Sequence, residues 1–167
     1  MPETLPRRRL EIWLPILIVA LDQLTKLLVR TTLPLHGEVP VVPGLVNLTH
    51  VLNTGAAFGF LNAVDFPFKT IAIAVVATVA LVSVGLYSAT LARQQVAARI
   101  GLALIIGGAA GNLIDRLFVG SVVDFVDVYW RNWHFWAFNV ADSAITIGVA
   151  IMILDMLGMG THVSKTA

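Results

Sequence analysis

Four long apolar runs, at 10–29, 68–89, 98–118 and 137–157, restrict this chain more than any other feature. A helix rises about 1.5 Å per residue and the hydrocarbon layer of a bilayer is about 30 Å thick, so about 20 apolar residues suffice to cross it. The expected fold is an all-α membrane protein with four transmembrane helices, organised as a single domain over 1–167. Composition agrees, because 57% of the residues are hydrophobic and only 13% charged, where a soluble domain carries about a quarter charged. Mean hydropathy is +0.85. That is more apolar surface than one small soluble core could bury.

The first run follows Arg7, Arg8 and Arg9, as a secretory signal would. Asp22, Gln23 and Lys26 then stand where a small-residue cleavage site would fall, so a retained helix is expected, bent locally at Pro15. Lys and Arg favour the cytoplasmic side of short connections. With four spans, the arginine triplet, the 93–99 loop and Lys165 share one side, against Arg30, Lys69, Arg116 and Arg131 on the other. Both termini are therefore expected in the cytoplasm, and the connections 31–67 and 119–136 outside.

The first outer connection holds Pro34, Pro40, Pro43 and Gly44, followed by the β-favouring stretch 45–51, which predicts a small extended or sheet-like β-element. The second is rich in aromatics, with Tyr129, Trp130, Trp133, Phe135 and Trp136, and suits an interfacial belt. A net charge of +1 with scattered basic residues gives no reason to expect nucleic acid. The chain has no cysteine, which excludes disulfides, a thiol nucleophile and thiolate metal sites. Four histidines do not suggest a metal either. His50 and His134 are isolated, His36 lies in a polar turn and His162 in the tail. No metal and no cofactor are expected.

Charge at membrane depth is costly and survives because it has a partner or a task. Asp22 and Lys26 are four apart on the first helix and share a face; Asn112, Asp115 and Arg116 lie within one turn of the third; Asn139 and Asp142 are three apart at the fourth. With Asp124 just before the fourth run, four segments can converge on one polar pocket near the outer interface. The second helix has no ionisable side chain between Lys69 and Tyr87 and reads as a wall.

Asp22 with Lys26, and Asp115 with Arg116, fit ion pairs that anchor helix ends. Asp124 and Asp142 have no adjacent cation, and two such carboxyls side by side would share a proton. An aspartic protease needs that arrangement, one carboxylate acting as base toward water while its protonated partner polarises the scissile carbonyl. Residue spacing leaves two rivals open, a proton-coupled transporter and a noncatalytic membrane scaffold. Asp127 reads as a solvated group and Asp155, near the inner end of the last helix, as structural.

Five strings, Asp22-Gln23-Leu24-Thr25-Lys26, Asn53-Thr54-Gly55-Ala56-Ala57-Phe58-Gly59, the segment 107–116 ending Asn112-Leu113-Ile114-Asp115-Arg116, Val122-Val123-Asp124-Phe125 and Phe138-Asn139-Val140-Ala141-Asp142-Ser143, together resemble the lipoprotein signal peptidase family, also called signal peptidase II. The resemblance implies an aspartic endopeptidase of the bacterial inner membrane that acts near the periplasmic face. It removes the signal peptide from diacylglyceryl-modified prolipoproteins, cutting before the lipidated cysteine, and is blocked by globomycin. By motif, Asp124 and Asp142 are the catalytic pair. Asn53, Asn112, Asp115, Arg116 and Asn139 match the polar residues around it, and Asp22 and Lys26 match the first motif. The string 53–59 reads as a periplasmic loop or short helix covering the pocket, with Phe58 and Phe60 touching lipid or substrate. Gly107, Gly108 and Gly111 admit either the substrate's signal helix or ordinary helix packing. One chain supplies the whole pocket, so a monomer is expected.

Overall fold

The structure, a computed structural model, describes residues 8–55, 64 and 66–158. In chain order its elements are α1 (Arg8–Thr32), β1 (Glu38–Val42), β2 (Val46–Asn53), α2 (Lys69–Thr90), α3 (Val96–Phe118), β3 (Val122–Trp130), β4 (Trp133–His134) and α4 (Val140–Met156). The expected cover at 56–59, with Phe58 and Phe60, falls outside the described residues, as do Arg7, His162 and Lys165.

Helices α1, α2 and α3 are each long and apolar enough to cross a membrane. Helix α4 has 17 residues, about 25 Å of rise, at the short end of spanning length. It begins at Val140 rather than 137 because Asn139 caps it, accepting from the Asp142 N–H while the Asp142 side chain accepts from the Asn139 N–H. This reciprocal pair closes the first turn of the helix.

Helix α3 is the hub, packing on α1, α2 and α4. Its small residues make the approach possible. A Cβ on Gly107 would fall 2.9 Å from the Pro15 Cα of α1, and one on Gly101 would fall 2.9 Å from the Gly148 carbonyl oxygen of α4. The glycines at 101, 107 and 108 are thus taken up by packing between the protein's own helices. Among the described residues, helix α2 packs chiefly on α3. Ile71, Val75, Val76, Val79, Val82 and Leu86 on it are exposed, an apolar face whose natural solvent is lipid.

The expected small β-element is present, and it draws on both of the connections that were expected on one side. A four-stranded antiparallel sheet runs in the order β1-β2-β3-β4, and the stretch read as an aromatic connection contributes β3. Strand β3 is buried on both faces over its first half, which removes the in-out alternation by which a strand is read from sequence. Val29 of α1 packs with Val123 and Phe125 of β3, flanked by Leu33, Leu48, Val126 and Val140. That cluster fixes the sheet to the end of the bundle formed by the C-terminus of α1 and the N-terminus of α4. The edge strand β1 is exposed along its length and carries Glu38 and Pro40, which discourage pairing with another chain.

Candidate active site

Five elements deliver polar side chains to one buried cluster. Strand β3 carries Asp124, 3% exposed, and in the β2–β3 ladder Asn53 stands opposite Val122 while Val51 stands opposite Asp124. Asn53 is thus the diagonal neighbour of Asp124. Its Nδ2 donates to Asp124 Oδ2 at 3.0 Å, and its Oδ1 accepts the Gly55 N–H at 2.9 Å.

Asn139, fully buried, touches both expected catalytic carboxyls. Its Nδ2 donates to Asp124 Oδ1 at 2.7 Å and its backbone N–H donates to Asp142 Oδ2 at 3.2 Å. The N-cap of α4 is therefore also the bracket between the two aspartates. On α3, Asn112 Nδ2 donates to Asp142 Oδ1 at 2.8 Å. Each carboxyl thus has both oxygens engaged by N–H donors supplied by Asn53, Asn112 and Asn139.

Burial pushes the Asp124 carboxyl up to about 7, and the negative charge of Asp142 adds to the rise; the hydrogen bonds from Asn53 and Asn139 oppose it. Arg116 lies where its charge is felt by Asp142, Asp124 and Asp115. Its guanidinium donates to the carbonyls of Asn112 at 3.1 Å and Gly55 at 2.9 Å. It ties α3 to the residues that follow β2.

Beneath the pair lies a second layer of full charges. Asp22 and Lys26 are wholly buried and 2.8 Å apart, and Lys26 Nζ also lies 3.2 Å from Asp115 Oδ2. Asp115 meets Arg30 at 3.0 Å. The expected Asp22–Lys26 pair is present, whereas Asp115 pairs across to α1 and leaves its sequence neighbour Arg116 to the backbone carbonyls.

The structure brings together Asp22, Lys26, Asn53, Asn112, Asp115, Arg116, Asp124, Asn139 and Asp142. Sequence reading missed Gln23 and Arg30. Gln23 Nε2 donates to Asp115 Oδ1 at 3.2 Å and to the Gly111 carbonyl at 3.1 Å. Arg30 could have been found, since it follows Lys26 by four residues and shares its helical face. Three expectations are corrected. Asp127 is not solvated but buried, meeting His134 Nδ1 at 2.9 Å. His134 is accordingly not isolated, and it stacks on Tyr129 at 5.2 Å. His50 is buried too, its Nδ1 2.9 Å from the Leu33 carbonyl oxygen. Both histidines are absorbed in holding the sheet, and among the described residues no group of three or more His, Asp and Glu side chains is placed to hold a metal ion.

A family model described as Signal peptidase (SPase) II matches residues 14–158. A lipoprotein signal peptidase of Geobacter metallireducens is 47% identical over 139 residues, covering 83% of this chain and 85% of its own. One of Pseudomonas syringae pv. tomato is 43% identical over 146 residues, covering 87% and 84%. A bacterial membrane enzyme solved by the in meso method at 2.3 Å resolution matches with a TM-score of 0.81 at 30% identity, covering 94% of this chain and 93% of that one. Apolar helices gathered around a polar site, with such a neighbour, place the molecule among the helical membrane enzymes. Within that class the chain belongs to the signal peptidase II family.

Proposed function

We propose that this chain is an aspartic endopeptidase of the bacterial inner membrane that removes the signal peptide from diacylglyceryl-modified prolipoproteins, cutting before the lipidated cysteine. Asn139 carries the reading: one buried residue whose side-chain amide holds Asp124 and whose backbone N–H holds the Asp142 carboxyl has no use in a wall helix or a scaffold, but it brackets two carboxyls that can share a proton. Asp124 and Asp142 are the reacting groups. One carboxylate takes a proton from water as the water oxygen attacks the scissile carbonyl, while the protonated partner gives its hydrogen to the carbonyl oxygen. The diol then collapses: one hydroxyl gives its proton to the carboxyl that is now ionised as the C–N bond breaks, and the carboxyl protonated by the water gives its proton to the leaving nitrogen. Asn53, Asn112 and Asn139 all present N–H donors to the pair, their amide oxygens being taken by other donors, and so favour its ionised member. Arg116 supplies a cation that keeps its proton throughout.

The four helices all span, the termini face the cytoplasm, and the sheet with the carboxyl pair lies at the periplasmic surface. Support comes from the position of Asp124 and Asp142 at the sheet end of the bundle, where a substrate anchored by its signal helix and its lipid would present its cleavage point. A proton-coupled transporter would hold its carboxylates nearer the midplane. The single domain acts as a monomer, since one chain supplies every group named, and globomycin occupies the same carboxyl pair. The test is a gel-shift assay of purified protein on a diacylated prolipoprotein, with mass spectrometry of the products. Cleavage before the lipidated cysteine, suppressed by globomycin, is expected. Cleavage elsewhere, or none, would refute the reading.

A further inference from the structure

Lys26 never touches either aspartate of the pair, yet it is fully buried with three polar groups around its ammonium. These are Asp22 Oδ2 at 2.8 Å, Asn112 Oδ1 at 2.9 Å and Asp115 Oδ2 at 3.2 Å. An ammonium has hydrogens to give and no lone pair. Beside it an asparagine amide must present its oxygen. The Asn139 Nδ2, 3.2 Å from the same Asn112 oxygen, imposes the same choice. With Asn112 Oδ1 committed to two donors, its Nδ2 points the other way, to Asp142 Oδ1 at 2.8 Å.

The flanking carboxylates of the cluster hold the two elements that bear the pair. Asp22 Oδ1 accepts the Ala141 N–H at 3.0 Å, which grips α4 one residue before Asp142. Asp115 Oδ2 accepts the Val123 N–H at 3.3 Å, which grips β3 one residue before Asp124. Gly111 is part of the same fit, because a Cβ there would fall 2.6 Å from Asp22 Oδ2. Two carboxylates, Asp22 and Asp115, face two cations, Lys26 and Arg30, so the layer is neutral by itself, and the charge of Lys26 also reaches Asp124 and Asp142, which is why the variants compared below are matched in charge.

We infer that Lys26 is a positioning residue for the proposed reaction, setting the amide of Asn112 so that its N–H is aimed at Asp142. The inference rests on reading Asp124 and Asp142 as the reacting pair. It assigns Lys26 a role in the rate of the chemical step, separate from holding α1 in place.

The test compares two charge-matched double variants with the wild type, using a synthetic diacylated signal-peptide substrate in lipid nanodiscs. Replacing Lys26 alone would strand Asp22, so both carry Asp22→Asn. In one, Lys26→Met removes the donor, and in the other, Lys26→Gln keeps an N–H toward Asn112. The Met variant is expected to fold and to lose kcat by about tenfold or more with KM nearly unchanged, since it leaves an unoriented donor at the reacting group. The Gln variant is expected to recover most of that loss. When Asn112→Ala is added, the Met and Gln variants should become equal, because the group through which Lys26 acts is gone. Equal rates for Met and Gln with Asn112 intact, or a Met–Gln difference that persists without Asn112, would overturn the inference. So would failure of the Met variant to fold, which would leave Lys26 a structural role alone. Asp142→Asn is measured alongside. If that variant cleaves, the reading of the pair fails, while the Met–Gln comparison still reports on Lys26.

Discussion

At the scale of single residues, the pH dependence of the pair is the most informative property. Asp124 keeps its proton to about 7 in the folded chain, where an ordinary aspartate loses it near 3.8. Between those values the folded state binds a proton that the unfolded state has released. The stability contributed by this group is therefore full below 3.8 and is lost as pH rises to about 7. Thermal unfolding of the wild type relative to Asp124→Asn should show that decline and then level off; a flat difference would mean that the carboxyl is solvated in the native state. Cleavage should likewise fall on the alkaline side of about 7, as the pair loses its shared proton. Asn139→Ala removes an N-cap, worth about 1 kcal/mol of stability, and also the donor to Asp124 at 2.7 Å. Its loss of kcat should exceed what so small a destabilisation explains, as read by activity at a temperature well below unfolding.

At the scale of elements, α3 and α4 approach so closely that the first turn of α4 has no freedom to shift. A Cβ on Gly108 would fall against the Ala141 carbonyl and 2.8 Å from Ile145 Cγ1. Gly108→Ala should therefore push α4 away and cost about 1–3 kcal/mol, with activity falling because Asp142 moves with the turn. Gly85 in α2 has nothing within 4 Å of such a Cβ, so Gly85→Ala should leave unfolding temperature and cleavage unchanged. Equal effects at the two glycines would contradict the packing account.

Element by element, the sequence was legible where a single period governed. The apolar runs mark α1, α2 and α3 because nothing but length and hydropathy decides a spanning helix. Asp22 and Lys26 could be paired from their four-residue spacing. Strand β3 was not legible, since its first four residues are buried whether they face one way or the other, and an aspartate within Val122-Val123-Asp124-Phe125 gives no alternation to follow. Asp115 with Lys26 and Arg30, and Asp127 with His134, are contacts between elements far apart in the chain or across a hairpin. Spacing along the chain carries no record of them. Asn139 could be placed near the pair from its motif; that it caps α4 and brackets both aspartates emerges only from coordinates.

At the scale of the whole molecule, the buried polar cluster lies at one end of a bundle whose outer faces are apolar, the sheet closes that end, and Glu11 pairs with Arg99 at the other. The proposed orientation can be read directly because the chain has no cysteine. Asn132→Cys, in the exposed β3–β4 turn, should react with a membrane-impermeant maleimide on intact spheroplasts, whereas Gln94→Cys, in the exposed α2–α3 loop, should react only after permeabilisation. The reverse pattern would invert the topology and with it the side from which substrate is cut.

The central claim is that Asp124 and Asp142 together cleave a lipid-modified prolipoprotein. Its most direct test is a single-turnover cleavage assay of Asp124→Asn and Asp142→Asn, each shown to fold by its unfolding temperature. Each variant alone should lose about 1,000-fold or more in rate, and the double variant little beyond that, since the two carboxyls act as one unit. A folded variant that retains near wild-type cleavage at either position would contradict the claim.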